Sequence, residues 1–449
     1  MILKKLRNNH FLSFAGNVAV AGMGICIYSM LAHNLPTQDD LGHWVFFIVG
    51  ILTLADVFRT GFIQNSLIKF YAGTAPERAA NIAGSAWFIG FCITIAACII
   101  NLLFYIFYYD AADESTRIMI RWFGITFLTS LPFSVALWIL QAEGRFGILL
   151  ILKALTQGML FVFMGLLIVF HRLTFLNAIY VYYVACAITS VTTIFMGWDR
   201  VKTITKRSRE SIRELFHYGK FSVGTSIASQ LLRSSDIYVI NFMLIGKAAA
   251  AAVGVYNVPQ QLMQVIEIPI RSFTATAMPM ISAASNKGND QEVVYLMKKF
   301  AGMLTLALLP VCIVGFIGAG LWIDILAGKK YVGSDAGIVL RIFMCYAMLL
   351  PVDRFMGITL DMINKPRINM IKVYIMLAVN VIGDVAGLLI FHNIYGVALA
   401  SILTFATGTI YGYISLKRYL NFTMVDIFTL GFAELKELAG KALRKKEGI

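Results

Sequence analysis

Ser222-Val-Gly-Thr-Ser-Ile-Ala-Ser-Gln-Leu-Leu-Arg-Ser-Ser-Asp236, running on through Ile245, is the stretch on which the reading of this chain turns. As a helix of about twenty residues it is long enough to cross the core of a bilayer. Yet Arg233 and Asp236 fall near its midpoint. A charged side chain at that depth costs about 3 kcal/mol on insertion scales and more on others, so it marks either a function or a pairing. At about 3.6 residues per turn, Ser222, Ser226, Ser229, Gln230, Arg233 and Asp236 share one face, while Val223, Ile227, Leu231 and Tyr238 share the other. The first stripe calls for water or a ligand, the second for lipid or a neighbouring helix. The plainer alternative is an Arg233–Asp236 pair, one turn apart, that only ties helices together.

The surrounding chain is of the same material. Of 449 residues, 59% are hydrophobic and 14% charged, and the mean hydropathy is +0.76. That balance excludes a soluble domain and indicates an all-α, polytopic membrane protein. The formal charge of +14 gathers in alternate short loops, the positive-inside pattern, which argues against a nucleic-acid partner. The six cysteines all lie inside expected spans, scattered in a way that suits neither a disulfide framework nor a metal site. The amino-terminal Met1-Ile-Leu-Lys-Lys-Leu-Arg7 is basic, but the apolar run after it is long enough to span and to stay as an anchor. A GxxxxGK[ST] phosphate loop is absent, so no nucleotide drives the chain from within and no cofactor is expected. The outer loops are short and leave no room for a catalytic domain. A transporter is expected rather than an enzyme.

Twelve spans are expected, near 11–31, 44–68, 83–108, 118–141, 148–170, 175–197, 218–245, 254–281, 299–326, 337–362, 370–391 and 396–416. Lys4, Lys5 and Arg7 put the amino terminus in the cytoplasm, and twelve crossings return the carboxyl terminus to the same side. The longest polar stretch between spans, 198–217, contains Arg200-Val-Lys-Thr-Ile-Thr-Lys-Arg-Ser-Arg209. It divides an amino-terminal lobe, 1–197, from a carboxyl-terminal lobe, 218–416. Weak internal echoes support two halves: Asp56-Val-Phe-Arg59 against Glu267-Ile-Pro-Ile-Arg271, and Leu131-Pro132 against Leu350-Pro351. Six spans per half makes the repeats parallel, with a substrate site between them. The tail, 417–449, repeats Val425, Phe428, Phe432, Leu435, Ala439 and Ala442 at helical spacing, the pattern of an amphipathic helix on the inner leaflet.

Four arginines fall at mid-depth: Arg59, Arg233, Arg271 and Arg354. Each has an acid within about a turn, respectively Asp56, Asp236, Glu267 and Asp353. Simple pairing lowers the cost of inserting each charge. The alternative is an aqueous cavity, favoured by the polar stripes on which they lie, among them Asn257, Gln260, Gln264, Glu267, Arg271 and Thr274 of the eighth span. A phosphate matches the guanidinium fork and can displace a carboxylate from it. Asp384, one turn after Asn380, has no basic residue within a turn. An acid in such surroundings takes up a proton readily, which makes it the candidate for a coupling proton or sodium ion. A hydrogen-bonded helix contact is the alternative.

The succession Tyr218-Gly, Asp236-Ile-Tyr-Val-Ile, Leu244-Ile-Gly246, Val253-Gly-Val-Tyr256 and Pro279 resembles the Wzx-type polysaccharide-precursor flippases of the multidrug/oligosaccharidyl-lipid/polysaccharide exporter superfamily. Leu140-Gln-Ala-Glu-Gly-Arg-Phe146 and Gly328-Lys-Lys-Tyr331 are similar to that family too. The resemblance implies a V-shaped, alternating-access transporter of two six-helix lobes in the bacterial inner membrane. It would carry an undecaprenyl-pyrophosphate-linked oligosaccharide to the outer leaflet, for O-antigen or another polysaccharide, beside a polymerase and assembly proteins. It also implies that Arg59, Arg233, Arg271 and Arg354, with Gln230 and Gln264, hold the pyrophosphate. Two rival readings are an ion-coupled drug antiporter of the same superfamily and a membrane glycan polymerase or ligase. The first span has Asn17 where some antiporters have an acid, and four arginines suit an anion better than a cationic drug.

Overall fold

The computed structural model describes residues 2–71, 74–244 and 246–446, and among the described residues there is no strand. The chain forms two units, each of which is described by itself. The first comprises Met1–Ser234 with Ile245–Gly254, the second Ser235–Leu244 with Val255–Ile449. Helices α1 (Ile2–Asn34), α2 (Gln38–Val45), α3 (Thr53–Tyr71), α4 (Pro76–Tyr108), α5 (Glu114–Thr129), α6 (Leu131–Ala142), α7 (Phe146–Val169) and α8 (Phe175–Phe195) belong to the first unit. The division between units runs through α9 (Arg209–Met243) and α10 (Lys247–Asn286). The second unit holds α11 (Asp290–Ile317), α12 (Ala319–Ala327), α13 (Lys329–Val332), α14 (Ala336–Ala347), α15 (Leu350–Met362), α16 (Pro366–Phe391), α17 (Ile394–Leu416) and α18 (Met424–Lys446).

Among the described residues seven helical segments are long and apolar enough to cross a membrane, or nine when each of two bent pairs counts as one span. Helices α1, α9 and α10, where the sequence predicts spans one, seven and eight, lie outside that count. For α9 and α10 the reason is physical: they carry the polar stripes, which lower their apolarity while leaving their length of 35 and 40 residues ample. The two bent pairs fall at the Leu-Pro echoes. Helices α5 and α6 meet at 40° before Leu131-Pro132, and α14 and α15 at 46° before Leu350-Pro351. Proline at the first turn of a new helix needs no N–H partner, so each break lands where it costs least.

Helix starts follow the local chemistry. Thr37 and Asp40 form a reciprocal capping box at α2, and the Asp113 carboxylate accepts from the Ser115 and Thr116 N–H groups at α5. These contacts satisfy donors that the first turn leaves open. The first unit closes around Ile63, Leu67, Ile82, Trp87, Val135, Trp138, Ile139 and Leu215, contributed by α3, α4, α6 and α9. In the second unit α16 and α17 cross glycine on glycine. A Cβ on Gly387 would lie 2.3 Å from the Gly396 carbonyl oxygen, so the two backbones touch, as small residues permit between membrane helices. Outward, α4 exposes Ile99, Phe104, Ile106 and Phe107, and α8 exposes Phe195, a surface for lipid rather than water.

Candidate functional site

The four arginines meet different fates. Arg59 is 1% exposed and all three of its guanidinium nitrogens donate within the first unit. Nε and Nη2 reach the Asp56 carboxylate at 3.0 and 2.5 Å, Nη1 the Phe127 carbonyl at 3.3 Å, and Nη2 also the Ser130 and Ser134 hydroxyls, both at 3.0 Å. The guanidinium lies 4.3 Å from the centre of the Phe127 ring. Phe127, Ser130 and Ser134 flank the α5–α6 bend, so Arg59 pins the kink. Arg271, by contrast, is exposed and pairs with Glu267 one turn back on α10. Arg233 and Arg354 are exposed, and Gln230 and Gln264 half-buried. Asp353 is taken not by its neighbour Arg354 but by Lys372 of α16, whose Nζ lies 2.7 Å from Oδ1 and 3.2 Å from the Asp353 carbonyl. Consecutive helix residues point about 100° apart, which leaves the acid to the helix it faces.

Asp236 and Asp384 come together in the second unit, both buried. Asn380 joins them. Its Nδ2 lies 2.8 Å from Asp236 Oδ1, 2.8 Å from Asp384 Oδ2 and 2.9 Å from Ser235 Oγ. The Tyr256 hydroxyl donates to Asp236 Oδ2 at 2.5 Å, and the Thr404 hydroxyl to Asn380 Oδ1 at 2.9 Å. Two turns of sequence logic build this cluster: Asn380 and Asp384 share a face of α16 at i,i+4, and the glycine crossing brings α17 close enough for Thr404 to reach across. Neither acid forms an ion pair among the described residues, and Asp384 Oδ1 has no hydrogen-bond partner there.

Three oxygens surround one amide nitrogen that has two hydrogens, and two carboxylates share one apolar enclosure. Such a pair does not carry two unbalanced charges, since each isolated buried ion costs several kcal/mol. A shared proton or a bound cation would balance it. Apart from the bridging Asn380 nitrogen, the polar atoms of the cluster are oxygens, the set that suits a proton or a hard cation rather than a thiolate- or imidazole-seeking metal. None of Tyr256, Thr404 and Lys372 was expected as a site residue. A lone tyrosine or threonine in a span carries no distinguishing pattern, whereas Lys372, a cation two residues into a predicted span, was a usable signal.

Along α10 the expected stripe is a run of amides. Gln264 donates to Gln261 at 2.5 Å, Gln261 to Asn257 at 3.0 Å and Asn257 to Gln260 at 3.0 Å. Gln260 Nε2 then lies 3.5 Å from Asp236 Oδ2. One face of α10 thus carries both the accessible Arg271–Glu267 pair and the approach to the buried acids.

At the end of α6, Glu143 accepts from Tyr71 at 2.9 Å, Arg200 at 3.0 Å and Arg145 at 3.1 Å. This joins α3, α6 and the basic stretch after α8 within the first unit. Burial alone would push the Glu143 carboxyl up, but the hydrogen bonds from Tyr71, Arg145 and Arg200 outweigh it and hold the group below the usual carboxylate range. Arg200 is raised in turn, chiefly by its bond to Glu143.

Residues 6–285 match the family described as polysaccharide biosynthesis protein. Over 228 residues the chain is 27% identical to the probable low-salt glycan biosynthesis flippase Agl15 of Haloferax volcanii, covering 49% of this chain and 45% of that protein. The chain therefore spans about half the length of that curated relative. Among solved structures, the lipid II flippase MurJ in an inward closed conformation superposes with a TM-score of 0.76 at 15% identity, over 97% of this chain and 93% of that one. An inward-facing multidrug resistance MATE transporter of the MOP superfamily gives 0.71 at 16%, over 88% and 94%. At such identities the likeness shows the fold, a transporter fold shared by both.

Proposed function

This chain belongs to the polysaccharide biosynthesis protein family, and from that premise we propose that it is a flippase for an undecaprenyl-pyrophosphate-linked oligosaccharide. It carries the glycan from the inner to the outer leaflet of a bacterial cytoplasmic membrane, with both termini in the cytoplasm. Transport is energised by a proton or sodium ion held between Asp236 and Asp384. The observation that carries the reading is the pair of buried carboxylates bridged by Asn380 at 2.8 Å to each, reached along the same helix that presents Arg271. Kinship with a glycan-biosynthesis flippase and the fold shared with a lipid II flippase support the transport class.

The pyrophosphate exchanges for Glu267 on Arg271, because its oxygens match the guanidinium fork in geometry and exceed a carboxylate in charge. Within the second unit, Arg354 and Gln264 supply further donors. A cation on the acid pair reduces negative charge near the headgroup, so substrate and ion favour each other's binding by linkage. After release outside, where a polymerase consumes the glycan, the ion leaves and the protein returns.

The test is flipping of a fluorescent undecaprenyl-diphosphate oligosaccharide in proteoliposomes. Arg271→Ala should slow it roughly 10- to 100-fold, the worth of a charge-assisted bond of about 1.5–3 kcal/mol. Arg271→Lys should restore part of the rate, since it returns charge without the fork. Wild-type flipping by Arg271→Ala at normal protein level would remove the pyrophosphate reading. The fold shared with a MATE transporter supports an ion-coupled drug antiporter as the second reading. It predicts extrusion of a cationic dye, with no flipping of the lipid-linked glycan.

A further inference from the structure

Helix α18 crosses α11 with glycine against glycine. A Cβ on Gly302 would lie 1.9 Å from the Ile427 carbonyl oxygen, and one on Gly431 2.4 Å from the Gly302 carbonyl carbon. Backbone meets backbone there, and no side chain fits. Charged pairs lock the crossing. Lys299 Nζ lies 2.6 Å from Glu434, which also accepts from the Tyr295 hydroxyl, and Lys298 lies 3.9 Å from Asp426.

Where the crossing falls along α11 sets its depth. Before Gly302, α11 is polar, from Asp290 through Lys298 and Lys299; from Phe300 to Ile317 it carries no charge. Gly302 is thus the first turn of the apolar stretch, the level at which headgroups meet acyl chains. The crossing holds α18 at that level.

Around the axis of α18, at about 100° per residue, three arcs separate. Ile427, Gly431 and Glu434 face α11. Beside them Val425, Phe428 and Phe432 form an apolar arc that is 67%, 39% and 65% exposed. Lys436, also exposed, borders that arc, while Asp426 and Glu437 lie on the remaining side. Five basic residues outnumber three acids along the helix, and two of those acids face Lys298 and Lys299.

We propose that α18 is an interfacial helix whose Val425, Phe428 and Phe432 enter the cytoplasmic leaflet while Lys436 rests on anionic phospholipid headgroups. Depth, the position of the apolar arc next to the docked one, and the excess of positive charge all select a lipid surface as the occupant. The inference rests on the multi-pass placement of the chain and not on what it transports.

A spin label on Phe432→Cys, in the full-length protein with its six native cysteines replaced, reads the outcome by power saturation in vesicles of phosphatidylethanolamine and phosphatidylglycerol. Dissolved oxygen should relax the label and a water-soluble nickel chelate should not, while a label on Glu437→Cys should show the reverse. Lys436→Gln should move the Phe432 label roughly fivefold toward nickel access, and pure phosphatidylcholine vesicles should do the same or more. Nickel access at Phe432 equal to that at Glu437 would overturn the proposal. So would shielding from both reagents, the signature of a second copy or a protein partner on this face. Phe428→Cys gives the same readout if the Phe432 variant does not fold.

Discussion

Replacing Asp384 with Asn tests the ion site with almost no change of shape. In the native cluster Asp236 Oδ1 and Asp384 Oδ2 each lie 2.8 Å from Asn380 Nδ2. The two oxygens are therefore at most about 5.6 Å apart, twice that distance. With an effective dielectric of about 20, two unit charges at 5.6 Å repel by about 3 kcal/mol. A proton or sodium ion bound between them relieves that repulsion, so the second carboxylate tightens ion binding by roughly 150-fold, at about 1.4 kcal/mol per factor of ten. Asp384→Asn leaves Asp236 with its bonds from Tyr256 and Asn380 and removes this gain. The ion concentration for half-maximal flipping in proteoliposomes, measured against imposed proton and sodium gradients, should rise by about two orders of magnitude, or the dependence should vanish. Unchanged half-saturation in the variant would refute the reasoning. A wild type indifferent to both gradients would refute it as well, and would leave Asp384 a helix contact.

Arg59→Gln should lower thermal stability by about 1–3 kcal/mol, because it gives up the buried hydrogen bonds to the Phe127 carbonyl and the Ser130 and Ser134 hydroxyls and unpins the α5–α6 bend; affinity for the lipid-linked substrate in folded protein should hold, and a selective loss of affinity would return Arg59 to the binding site. Glu143, whose carboxyl is held below its ordinary value, stabilises the first unit fully above the unfolded carboxylate range and loses that contribution as pH falls through the lower folded value; Glu143→Gln should flatten this acid limb of a stability–pH profile, and an unaltered limb would exclude the latch. A reporter fused after Arg207 should report cytoplasm and one after Asp113 the outer side, and the reverse would overturn the topology drawn from loop charge.

The Arg271–Glu267 pair, four residues apart on one face, was legible in the sequence. The bends were not expected, since the spans 118–141 and 337–362 ran straight through Leu131-Pro132 and Leu350-Pro351, although proline's missing N–H was a usable signal for a new helix start. Arg59 shows the limit. Its spacing from Asp56 was legible, but whether the guanidinium looked into a cavity or into the α5–α6 kink depended on Phe127, Ser130 and Ser134, some seventy residues away. Asp353 shows it again: its sequence neighbour is Arg354 and its partner in space is Lys372.

What the amino-acid sequence determined by itself is what a bilayer imposes locally. A spanning segment must be apolar over about twenty residues and must satisfy its own backbone. The class of the molecule, most of its spans and the suspicion attached to Asp384 all follow from composition and spacing. Only the tertiary structure decided what surrounds Asp384. Its companion is an acid rather than a base, and Asp236 lies 144 residues from the Asn380 that bridges the two. A buried charge takes its meaning from everything within a few ångströms, and in a helical membrane protein most of those neighbours come from other helices.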